Sequence, residues 1–167
     1  GEAMCFAYSR QHGVSVRSAR IFNSYGPRLR PGDGRVVSNF IVQALRGEPL
    51  TVYGDGSQTR SFCYVDDTVD GLVRLMNGGE MGPLNIGNSD EHTVLSLAET
   101  IVRLTGSRSR IERRPLPQDH PRRRRPHLTR TRAALGWSPR VTLEDGLEET
   151  IAWFRHELDL GRTLAVA

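Results

Sequence analysis

Lysine is absent from this chain of 167 residues: all 23 of its basic residues are arginine. That excludes from the chain itself any Schiff base, P-loop phosphate lysine or lysine general acid or base. Cysteine is scarce. Cys5 and Cys63 lie far apart and match no metal or redox spacing, which reads as two small buried thiols in a reducing compartment. Long apolar runs are missing too. No stretch approaches the roughly 18 residues a membrane span needs, and no signal peptide opens the chain. The expectation is a protein with no membrane partner, in the cytoplasm. The length suits one domain with a sizeable core.

What is present is charge, unevenly placed. The formal net charge is +4, but residues 108–132 hold ten arginines against two acids. The peak is Arg122 to Arg125, bracketed by Pro121 and Pro126. Three readings stand. The run is a loop with one or two arginines facing an anionic ligand, a solvated surface, or a nucleic-acid arm. Against nucleic acid, no aromatic residue is interleaved for base stacking. For a small anion, the planar fork of arginine donates two hydrogen bonds to phosphate.

Strand and helix patterns alternate along the chain, giving the α/β class. Residues 2–11 read as a helix tail with Ala3, Ala7 and Tyr8 on one face, ended by Gly13. Residues 14–22 read as a strand and 36–46 as a helix presenting Val37, Phe40, Ile41, Ala44 and Leu45. Short strands are expected at 50–53, 61–65 and 84–87, and another at 110–114. Asp66 is the expected N-cap of a helix whose buried face is Val69, Leu72, Val73 and Met76. Helices are also expected over 93–104, 130–135 and, capped by Thr142, a last segment with Leu143, Leu147, Ile151 and Phe154 as its stripe. A chain that opens in mid-helix suggests a missing upstream part.

Three places carry polar groups beyond the needs of folding. Asn23-Ser24-Tyr25-Gly26-Pro27-Arg28 follows a strand, where open parallel sheets bind ligands, although turn chemistry also explains it. Tyr53-Gly54-Asp55-Gly56-Ser57-Gln58-Thr59-Arg60 offers close backbone approach and a phosphate-pairing arginine, or else a plain hairpin loop. The third is the arginine run. There is no Gly-rich dinucleotide loop, no zinc spacing among the five histidines and no nucleophile elbow. No residue stands out as a catalytic nucleophile or base.

The segment from Arg20 to Arg28 resembles the motif after the active-site helix of extended short-chain dehydrogenases/reductases acting on nucleotide sugars. Gly34-Arg35-Val36-Val37-Ser38-Asn39-Phe40-Ile41, the stretch from Thr51 to Phe62, Tyr64-Val65-Asp66-Asp67 and Leu135-Gly136-Trp137-Ser138-Pro139 follow in that family's order. The set most resembles the UDP-glucuronate decarboxylase branch and covers almost the whole chain, as the C-terminal half of such an enzyme. The resemblance implies the C-terminal part of a Rossmann-like parallel sheet plus a smaller mixed α/β substrate-binding subdomain. Residues 1–35 would close the Rossmann-like part and 36–167 would be mostly the nucleotide-sugar subdomain, with 61–77 returning to the first.

In intact members, the C4 hydroxyl of the sugar is oxidised by hydride transfer to NAD, with a Tyr-x-x-x-Lys dyad handling the proton. The 4-keto acid then loses carbon dioxide, and the hydride returns to give UDP-xylose. The resemblance places both the dyad and the NAD loop upstream of Gly1, so this chain alone is expected to be inactive. By resemblance, Asn23, Arg35, Val37, Ser38, Asn39, Tyr53, Arg60 and Arg124 would bind the UDP-sugar, with Tyr8 and Gln11 near the sugar. Ser24 and Arg30 would lie near NAD. His127 stands where the family usually has Asp, which would cap the helix that follows. The alternatives are another nucleotide-sugar 4-epimerase or 4,6-dehydratase, or a non-catalytic remnant that binds UDP-sugars or another protein. A homo-oligomer, or pairing with the missing N-terminal half, is also expected, because half a fold leaves a sheet edge and apolar faces uncovered.

Overall fold

A computed structural model of the chain describes residues 1–31, 34–116 and 123–159. In chain order the elements are α1 (Glu2–His12), β1 (Ala19–Ile21), β2 (Ser24–Tyr25), α2 (Val36–Leu45), β3 (Leu50–Tyr53), β4 (Thr59–Arg60) and β5 (Cys63–Tyr64). There follow α3 (Val65–Asn77), β6 (Leu84–Ile86), β7 (His92–Thr93), α4 (Val94–Thr105), β8 (Ile111–Arg114), β9 (Arg123–Arg124), α5 (Thr129–Leu135) and α6 (Leu143–Asp159). The class is α/β, as the alternating pattern implies. The pairs β1–β6, β2–β5 and β3–β8 are parallel, and β4 sits between antiparallel β7 and parallel β9.

The main core lies where α2 and α4 pack against β3 and against α6. Phe40, Ile41, Leu97, Ile101, Leu147 and Phe154 are buried there. Their spacing of three and four residues lines one face of each helix, so the stripes in the sequence become this core. Caps fix the register. The Thr93 hydroxyl accepts from the Ser96 amide, and the Thr142 hydroxyl accepts from the Asp145 amide at 3.2 Å. Gly106 and Gly136 close α4 and α5 in the left-handed conformation.

Four local expectations are corrected. The strand expected over 14–22 shrinks to Ala19–Ile21, because its partner begins only at Leu84. The strand expected over 61–65 is reduced to Cys63–Tyr64, paired with β2. Asp66 is not a cap. Helix α3 starts at Val65 after Tyr64, with no side-chain cap. The neighbouring Asp67 turns inward instead and accepts the Arg140 and Val141 amides, both at 2.9 Å. Finally, α3 buries Asp67, Thr68, Gly71 and Leu75, while Val69 and Met76 are 51% and 66% exposed. Of the expected apolar face, Val69, Val73 and Met76 are exposed, while Leu72 is half-buried against the cluster of Ile86 and Trp137. Likewise α1 buries none of its residues. Among the described residues, no helix is long and apolar enough to cross a membrane.

Candidate functional site

A cavity of about 820 Å³ opens where β1, β2, β3, β4 and β9 converge on the start of α2. Its position follows from the strands. The Phe22 amide donates to the Ile86 carbonyl and the Cys63 amide to the Asn23 carbonyl, both at 2.9 Å. The chain is thus held flat past the end of β1, and Asn23 lines the cavity. From the opposite side comes α2, with Arg35 as its N-cap residue and no side chain capping it. The first amides of a helix lack intrahelical acceptors and carry partial positive charge, which suits an anion. Val36 and Val37 of that first turn, and Asn39 after them, line the cavity.

The loop between β3 and β4 is tied internally. The Asp55 carboxylate accepts the Ser57 amide at 2.9 Å and the Ser57 hydroxyl at 2.7 Å. These two bonds also hold the Asp55 carboxyl below its ordinary range. The Gln58 side-chain amide donates to the Tyr53 carbonyl at 2.9 Å. At Gly56, with φ at +79°, an added Cβ would stand 2.9 Å from Leu95 Cβ, so only glycine fits this turn. Tyr53 and Arg60 are thereby presented to the cavity from the two ends of one rigid loop.

Arg60 and Arg124 are register partners in the parallel β4–β9 pair, and both line the cavity. Arg35 is the third guanidinium, and its Nη1 reaches the Ser24 carbonyl at 3.5 Å. Burial first, and the charge of Arg124 second, lower the Arg60 pKa from its ordinary value. Arginine nevertheless stays cationic at any working pH. Among the described residues, no Asp or Glu lines this cavity, whereas Phe22, Phe40, Tyr53 and Phe62 form apolar walls. The arrangement suits a ligand with a strongly anionic centre and flat or apolar ends.

Of the residues singled out by sequence, Asn23, Ser24, Arg35, Val37, Asn39, Tyr53, Arg60 and Arg124 all line this cavity. Ser38 does not. It is fully buried, with its hydroxyl donating to the Arg35 carbonyl at 3.0 Å. Tyr8 and Gln11 lie on the exposed helix α1, where Tyr8 packs on His12 with ring centroids 4.2 Å apart. Arg30 is exposed and outside the lining. Arg122 lies outside the described residues. His127 caps nothing: α5 has Leu128 as its N-cap residue and no side-chain cap. Sequence reasoning missed Thr51 and Gln58 and took Phe40 for core alone. Gln58 already lay in the loop motif, so that motif was the available signal.

The profile of the NAD dependent epimerase/dehydratase family matches residues 1–87. UDP-glucuronic acid decarboxylase 1 of Danio rerio is 56% identical over 158 residues, which is 95% of this chain and 38% of that protein. The chain therefore spans well under half the length of that curated relative. Among solved structures, UDP-glucose 4-epimerase from Thermotoga maritima, with UDP-glucose, superposes with a TM-score of 0.90 at 34% identity, over 94% of this chain and 51% of that one. UDP-glucuronic acid 4-epimerase from Bacillus cereus, in complex with UDP-glucuronic acid and NAD, gives 0.84 at 28% identity, over 93% and 50%.

Proposed function

The chain belongs to the NAD dependent epimerase/dehydratase family, and from that premise we propose that it forms the UDP-sugar clamp of a UDP-glucuronate decarboxylase. The observation that carries this reading is the Arg60–Arg124 pair in a cavity that no described carboxylate lines. Two adjacent guanidiniums repel each other, and a diphosphate between them removes that repulsion and accepts hydrogen bonds in the geometry that planar guanidiniums favour. Arg60 and Arg124 hold the diphosphate. Tyr53, at the cavity rim, flanks the uracil, while Asn23 faces the diphosphate or sugar. Arg35, Val37 and Asn39 line the nucleotide-sugar end. Ser38 acts from behind by fixing the Arg35 carbonyl. Tyr8 and Gln11 would meet the sugar only from the α1 side.

The family is NAD-dependent, and NAD supplies a hydride acceptor and donor when bound. The two residues that resemblance puts near it are Ser24 and Arg30. The Ser24 hydroxyl is engaged by Thr68 at 2.9 Å, and Arg30 stands in solvent. With no lysine, the chain also cannot contain a Tyr-x-x-x-Lys dyad. Its part in catalysis is therefore to neutralise the diphosphate, orient the hexuronate and exclude water. Alone it is inactive.

Calorimetric titration of the chain with UDP and with uridine tests the clamp. UDP binds, uridine binds far more weakly, and Arg60→Ala or Arg124→Ala weakens UDP by about 10- to 100-fold, as expected for a lost charge-assisted hydrogen bond. A folded chain that does not bind UDP overturns the reading. The similarity to 4-epimerases favours one second reading, a 4-epimerase using the same clamp. Release of carbon dioxide from UDP-glucuronate by the full-length protein separates the two.

A further inference from the structure

We infer that Glu91 is a positioning residue that aims Arg124 at the ligand by fastening the arginines on either side of it; this rests on the clamp reading of the cavity. Strand β9 has only two residues, paired to β4 by Thr59 with Arg123 and Arg60 with Arg124. So short a ladder is marginal by itself. Placing Arg124 directly across from Arg60 destabilises it further, since like charges opposite one another repel. Something must offset that cost.

The Glu91 carboxylate does so. It lies immediately before β7, the other neighbour of β4. It accepts from Arg123 Nε at 2.8 Å and Arg123 Nη2 at 2.5 Å, a bidentate pair. It also accepts from the Thr59 hydroxyl at 2.8 Å and lies 3.6 Å from Arg125 Nη1. One carboxylate therefore binds β4, β9 and the residue after β9 together. Alternation along a strand does the rest. Arg123 and Arg125 point to the Glu91 side, so Arg124 between them points to the other, where the cavity is. Three consecutive arginines are sorted into two that are fastened and one that is presented.

The carboxylate is suited to this task. Its side chain is 19% exposed, while Arg123 is 65% exposed. The hydrogen bonds from Arg123 and then Thr59 hold its pKa down at about 2, so it remains ionised until the pH falls toward that value.

The test is Glu91→Gln, which keeps shape and removes charge, made in the wild-type chain and in an Arg124→Ala chain. In the first, UDP affinity falls about tenfold while uridine affinity is unchanged. In the second, the same substitution costs nothing further, because its only route to the ligand is gone. Equal losses in both backgrounds, or loss of uridine binding as well, overturn the inference and leave Glu91 a general fold contact. A second measurement does not depend on UDP. Limited trypsin cleavage after Arg123 or Arg124 is faster in the Glu91→Gln chain. Unchanged cleavage overturns the inference whether or not UDP binds, while a wild-type chain that binds no UDP overturns the clamp reading alone.

Discussion

The α2–α4–α6 region and the α1–α3 region use apolar side chains in opposite ways. In the first, Phe40, Leu97, Leu147 and Phe154 meet one another and are sealed from water. In the second, Met4 is 78% exposed, Val69, Val73 and Met76 stand on the open face of α3, and β1 pairs only with β6 among the described residues. Both regions carry apolar positions at helical spacing. An amphipathic pattern reports that a face exists; it does not report what covers it. The first region builds its own cover. The second leaves its apolar positions open.

The largest expected effect sharpens that contrast. Phe154→Ala, in the sealed region, costs about 3–5 kcal/mol, whereas Met4→Ala or Met76→Ala stays within about 0.5 kcal/mol. Thermal melts followed by circular dichroism decide it, and equal costs in both regions break the comparison. Next is Gly146→Ala. A Cβ there overlaps the Tyr25 hydroxyl and comes within 2.7 Å of Tyr64 Cδ2. The Tyr25 hydroxyl donates to the Leu143 carbonyl at 3.1 Å, so the clash also strains the start of α6. A loss of about 1–3 kcal/mol is expected in urea titrations.

A smaller effect, of about 1–2 kcal/mol, is expected in association. If the open region makes the chain self-associate, Val69→Ser with Val73→Ser and Met76→Ser shifts the association constant about tenfold or more downward. Sedimentation velocity reads this directly. A monodisperse wild-type monomer with one cooperative melt contradicts it. The mildest probe compares the two thiols. Cys63 is buried as expected, whereas Cys5, expected to be buried too, is exposed because α1 buries none of its residues. Burial, the main cause, pushes the Cys63 thiol up to about 11. At pH 8 a thiol reagent therefore labels Cys5 in the native chain and leaves Cys63 unlabelled; rapid double labelling would show that the core opens.

Much of this was legible in the residues. The stripes of α2, α4 and α6 and the cap at Thr142 are local signals, and local structure obeys them. The misreadings share a cause, which is partners distant in sequence. Asp67 follows the residue expected to cap α3, yet its carboxylate serves amides more than 70 residues away. The apolar face of α3 is real as a pattern, yet Val69, Val73 and Met76 of it stand open and only Leu72 is covered. The strand after Gly13 starts late because pairing starts late. The site divides the same way. Asn23, Tyr53 and Arg60 lie in motifs that can be read in order, while the adjacency of Arg60 and Arg124 comes from a ladder that spacing cannot reveal.

The strands around the cavity belong to four sheets that share no ladder: β1 from one, β2 from another, β3 from a third, and β4 with β9 from the last. A ligand that touches all four is a keystone set among separate stones. By mass action, a ligand at a hundred times its dissociation constant adds about 2.7 kcal/mol to the folded state. Here that gain is shared among four walls, each with few hydrogen bonds of its own. Occupancy would then be felt as mechanical unity, with parts that otherwise loosen one by one made to come apart together.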